Sequence, residues 1–170
     1  MKDYLEIVCK GIDKFWTIMY KSSNPETFSV EWGDGETEVF ESAKGMVQIG
    51  HEYKTKGTYT IRFNIKDVTL DEQAYDGTRV KFLNLKGCNI ISVSGSLPAM
   101  KLTPKCYNSM FENNQISDIS NFVLPATKLA NSCYSGMFAN NKIKDLKGFK
   151  LLGTELHNWC YSGMFAELIS

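Results

Sequence analysis

The sequence predicts an α+β protein: a small N-terminal β-sandwich over residues 1–70, then a short solenoid over 80–170 with one helix and one short strand per 27-residue coil. Three observations predict it. The motif Cys-Tyr-x-x-Met-Phe begins at Cys106, Cys133 and Cys160, each 27 residues after the last. The first 70 residues instead carry short aromatic and β-branched runs broken by glycine turns, the grammar of a sandwich. Between the two parts, residues 71–79 are polar, as in a linker or loop.

The N-terminal elements follow in order. Residues 1–8 alternate polar and apolar side chains and read as a strand, not as the apolar centre of a signal peptide. Phe15-Trp16-Thr17-Ile18-Met19-Tyr20 and Phe28-Ser29-Val30-Glu31-Trp32 are further strands, separated by a turn at Asn24-Pro25. Gly33-Asp34-Gly35 breaks the chain before Thr37-Glu38-Val39-Phe40, a hairpin signal. Another strand runs from Tyr59 to Ile65.

The C-terminal part opens with an entry coil over 80–96, which has Leu-x-Leu character but no Cys-Tyr-x-x-Met-Phe. Repeats over 97–123, 124–150 and 151–170 follow. In the middle one, Leu129, Cys133, Tyr134, Met137 and Phe138 fall at i, i+4, i+5, i+8 and i+9, one face of a helix. Asn140-Asn141 is suited to ending that helix. Ile143, Leu146 and Phe149 then read as a short strand and its return. One such coil cannot bury its apolar face alone, so coils must stack. The three motif cysteines are accordingly read as buried thiols packing as small hydrophobes. Five cysteines without a CxxC pair do not make a disulfide framework or a zinc site.

Two resemblances sharpen the reading. Leu-Pro-Ala-Thr-Lys-Leu-Ala-Asn-Ser-Cys-Tyr-Ser-Gly-Met-Phe at 124–138 resembles the BspA-like class of bacterial leucine-rich repeats. Trp32-Gly33-Asp34-Gly35, with the later His51-Glu52-Tyr53 and Gly57-Thr58-Tyr59-Thr60-Ile61, resembles the PKD-type domain, which implies an immunoglobulin-like sandwich. Together they imply a cell-surface or secreted bacterial adhesion protein, the alternative being a cytoplasmic one.

Composition excludes some functions. With 19 basic and 19 acidic residues the formal charge is zero, which argues against nucleic acid as the main partner. No apolar run is long enough for a membrane helix. No P-loop, dinucleotide fingerprint, nucleophile elbow or HExxH occurs, so no catalytic residue, cofactor or metal is assigned and the chain is read as a non-enzyme. Asp34, between Glu31 and Glu36, is read as bonding turn backbone groups, with calcium binding the alternative. His51 is read as structural. The candidate binding residues are Lys142, Lys144 and Lys147, with Lys150 beside them, and His157 and Trp159, which stand where the preceding repeat has Ala130 and Ser132. They imply a protein or glycan ligand. Self-association through the C-terminal coil, with an assembly-subunit role, is the alternative. Cys133→Ser is expected to cost about 1–3 kcal/mol by burying a more polar group. Equal urea unfolding midpoints for variant and parent would remove Cys133 from the inward face.

Overall fold

The structure, a computed structural model, describes residues 2–20, 27–41, 46–65, 83–97 and 102–169. Its strands are β1 (Leu5–Tyr20), β2 (Thr27–Glu31), β3 (Thr37–Glu41), β4 (Met46–Asn64), β5 (Ile90–Ser96), β6 (Phe122–Leu124) and β7 (Lys150–Leu151). All seven lie in one sheet of order β3-β2-β4-β1-β5-β6-β7. Among the described residues there is no helix, and none long and apolar enough to cross a membrane.

This corrects the α+β expectation in both parts. The N-terminal strands do not form the two-sheet, PKD-like β-sandwich. They form the antiparallel side of a single sheet, which continues through β5 into the repeats. The repeats are not a leucine-rich-repeat solenoid of helix and strand. The expected linker over 71–79 lies outside the described residues.

The long β1–β4 ribbon folds over itself. Leu5 pairs with Phe63 and Phe15 with His51. Ten residues of straight strand at about 3.3 Å each would hold those pairs about 33 Å apart. Yet the Phe15 and Phe63 ring centroids are 6.1 Å apart, and Phe15 also meets Trp32 at 5.9 Å. The ribbon therefore bends where its register shifts, between Cys9 and Ile12 and between Ile12 and Lys14, beside Gly11 at φ 69°. The bend lets one sheet enclose Ile7, Phe15, Trp32, Ile49, Ile61 and Phe63 without a second sheet.

In the repeats the helix is replaced by a ribbon of tight turns. Cys106, Asn108, Met110 and Glu112 donate their N–H groups to carbonyls three residues back. The N–H groups between them leave the ribbon: those of Lys105, Tyr107, Ser109 and Phe111 reach Asn131, Cys133, Ser135 and Met137 of the next repeat. Layer 1 (102–123), layer 2 (124–150) and layer 3 (151–169) therefore stack by backbone bonds. Positive φ recurs every fourth residue, at Lys105, Ser109 and Asn113, at Ser132, Gly136 and Asn140, and at Trp159, Gly163 and Glu167. A helix cannot tolerate it. Apolar side chains four residues apart suit this turn ribbon as well as a helix, which explains the misreading.

Side chains repeat the backbone register. Phe111, Phe138 and Phe165 stack at 5.3 and 5.6 Å, and Tyr107, Tyr134 and Tyr161 at 6.0 Å per step. Asn141, expected to help end a helix, and Asn114, its counterpart one repeat earlier, are buried amides that stitch layers together. Asn141 accepts from Ile116 N–H at 3.0 Å and donates to the Phe111 and Phe138 carbonyls at 2.8 and 3.1 Å. Asn114 does the same for Ile90, Leu85 and Phe111. Asn141→Ala strands these backbone groups, each worth about 1–3 kcal/mol when buried unpaired. The expected loss is about 2–4 kcal/mol by chemical denaturation, and a loss under about 0.5 kcal/mol would show that Asn141 does not hold the layers.

Candidate functional site at the open end of the repeat stack

Among the described residues no fourth layer covers the third, and its side chains show this when compared position by position. Leu102 and Leu129 are 5% and 3% exposed, whereas Leu156, their counterpart, is 60% exposed. Leu151 follows the same rule, 42% exposed where Leu124 is 1%. Leu168, which stands where Asn141 does one repeat earlier, is also exposed. Trp159, at the position of Ser132, is 71% exposed and held at φ 61°. The chain therefore presents an apolar end face with Trp159 and His157 on it, both exposed.

The lysines are distributed differently from the expectation of a basic patch. Lys147 lines an open groove with Ser117, Asp118, Ser120, Asp145 and Gly148. Lys142 and Lys144 are exposed and do not line it. The groove's carboxylates are engaged by the backbone. Asp118 accepts from Ser120 N–H and Oγ–H at 2.9 and 2.7 Å, and Asp145 accepts from Lys147 N–H at 3.0 Å. These Ser120 bonds hold the Asp118 carboxyl below its ordinary pKa. The groove is mixed in charge, and sequence reading missed its aspartates because each looks like an ordinary turn residue.

A second cluster lies at the β2–β3 turn. Asp34 accepts from Glu36 N–H at 3.0 Å, closing the turn. Its other oxygen lies 2.7 Å from His51 Nε2. His51 stacks on Trp32 at 4.8 Å and meets the edge of Tyr53, whose hydroxyl donates to the Trp32 carbonyl at 2.8 Å. A Cβ on Gly33 would collide with the Thr60 carbonyl, so the turn needs glycine there, at φ 86°. The two motifs singled out in the sequence are thus one clamp: the Trp32 turn is bolted to β4 by His51 and Tyr53. Asp34, Glu36 and His51 together offer two carboxylates and an imidazole within 4.8 Å. Asp34 and His51 are already partners to each other, which is the arrangement of a structural pair.

No family model, no curated protein and no solved structure matches this chain. The BspA-like and PKD-like resemblances thus have neither a matching family nor the expected architecture behind them.

The clamp makes a pH-dependent contribution whose sign is fixed. Burial alone would raise the Asp34 carboxyl pKa, but the His51 and Glu36 hydrogen bonds outweigh it and hold the value below 3.8. A depressed carboxyl stabilises the fold above its unfolded pKa and loses that contribution as pH falls through the folded value. Asp34→Asn should therefore lower the unfolding midpoint near neutral pH, and the deficit should shrink below about pH 4. A deficit that stays constant with pH would mean that the carboxylate charge plays no part.

Proposed function

We propose that this chain is a non-enzymatic recognition module that binds a protein partner on the exposed end of layer 3. The observation that carries the reading is Leu156, 60% exposed where the same residue of the two preceding repeats is 5% and 3% exposed. An apolar side chain in that state costs about 1.5–3 kcal/mol relative to its buried counterparts. Trp159 beside it adds a large aromatic of the kind that anchors protein interfaces. A protein ligand suits this end better than a glycan, because exposed Leu156, Trp159 and Leu168 give it a large apolar area.

The expected result on an array of proteins and glycans is binding to protein spots. The double variant Leu156→Glu, Trp159→Ala should lose that binding and keep the parent's circular dichroism spectrum. Binding to glycans alone, or protein binding that survives the double substitution, would remove the end face as the recognition surface.

A further inference from the structure

The clamp at the β2–β3 turn gathers three side chains that can ligate a metal. Asp34, Glu36 and His51 each offer one donor atom, and the three atoms lie within 4.8 Å of one another. The fold holds two of the three in place. Asp34 uses Oδ1 to accept from Glu36 N–H at 3.0 Å, which leaves Oδ2 on His51 Nε2, 2.7 Å away. The His51 ring is set by Trp32, stacked on it at 4.8 Å, and by Tyr53, edge-on at 4.7 Å. Tyr53 is set in turn by its hydroxyl bond to the Trp32 carbonyl. Only 9% of the His51 side chain is exposed, while Asp34 and Glu36 lie on the exposed turn. The turn is open on the side of Gly35, where an added Cβ would meet nothing within 4 Å.

From this geometry we infer that Asp34 Oδ2, the Glu36 carboxylate and His51 Nε2 form a binding site for a zinc-class divalent metal ion. The donor set selects the class. Calcium and magnesium take shells built of oxygen atoms, whereas an imidazole nitrogen with carboxylate oxygens suits zinc and its first-row neighbours. Two carboxylates and a neutral imidazole also match the charge of a divalent ion. The distances fit with small movements. Metal–ligand bonds of about 2.0–2.2 Å on a tetrahedron put the donors about 3.4 Å apart. Asp34 and His51 therefore open by roughly half an ångström, and the exposed Glu36 side chain swings in to complete the set. The ion takes the place of the hydrogen between Nε2 and Oδ2, and the neutral ring then carries its one N–H on Nδ1. Three protein ligands leave the fourth position to water on the open side of the turn. The clamp contacts persist around the ion, so the residues that bolt the turn to β4 are also its ligands.

The test uses the full chain and zinc chloride, followed by calorimetry and by NMR of the histidine ring nitrogens. One zinc ion per chain should bind saturably, well below millimolar concentration. The Nε2 signal of His51 should shift while the signals of His157, the other histidine, stay in place. Glu36→Gln keeps the backbone N–H that closes the turn, so it should fold as the parent does and weaken zinc binding by about tenfold or more. Zinc should also raise the unfolding midpoint of the parent, and raise that of Glu36→Gln less. The absence of saturable binding overturns the inference. Binding that leaves His51 Nε2 unmoved, or that Glu36→Gln leaves unchanged, puts the ion elsewhere and also overturns it. Loss of zinc binding in Cys88→Ser does the same, because the ligand is then that half-buried thiol. Calcium that displaces zinc at equal concentration overturns the assignment to the zinc class.

Discussion

The rest of the C-terminal structure depends on how the backbone N–H groups of each turn ribbon are divided. Half close turns within the ribbon and half cross to the next repeat. Buried backbone donors have to be paired, and here the pairing partner is always 26 residues further along the chain. That one rule fixes the rest. It forces positive φ at every fourth residue, so Lys105, Asn113, Trp159 and Glu167 adopt a conformation that L side chains enter at a cost. It brings identical side chains into contact, so the phenylalanine and tyrosine ladders follow from the register.

The same rule explains the buried asparagines. Where the ribbon ends and the chain turns toward the strand side, its own backbone cannot pair Ile90 N–H or Ile116 N–H. The amides of Asn114 and Asn141 supply the missing acceptor and donate to carbonyls of two layers at once. A buried amide with its donors and acceptor all used is a strong specifier of register. Thiols between the ladders remain unionised: burial pushes Cys133 up to about 11, and Cys106 is raised further by burial and by the Cys133 thiol next to it. They are packing groups, poorly disposed to react.

At the other end, the bent β1–β4 ribbon solves a different problem. A small antiparallel sheet has one apolar face and needs something to cover it. This chain covers it by folding the sheet onto itself, which puts Phe15 against Phe63 and Trp32. The His51 and Tyr53 contacts then hold the β2–β3 hairpin over the closed core. Strand β5 pairs with β1 on one side and β6 on the other, so the N-terminal sheet covers one end of the stack, while among the described residues nothing covers the other. The difference in exposure between Leu156 and its two counterparts is the consequence.

The sequence by itself determined the period of the repeat and which of its motif residues point inward, because stacked identical units must place Cys, Tyr, Met and Phe in register whatever the backbone does. It also marked short β runs in the N-terminal part and the turn at Asp34, since glycines and β-branched runs act locally, but not that two of those runs join in the single β1 from Leu5 to Tyr20 or that β4 begins at Met46. It did not determine the backbone between those side chains. A spacing of four residues fits a helix of 3.6 residues per turn and a ribbon of four-residue turns alike, and the choice depends on whether alternate N–H groups find acceptors inside the segment or in the neighbouring layer. Nor could it show one sheet in place of a sandwich, because the bend at Gly11 is a register shift between β1 and β4, visible only once both strands are paired. Asp34 and His51 could each be picked out, but their bond across 17 residues required the tertiary structure.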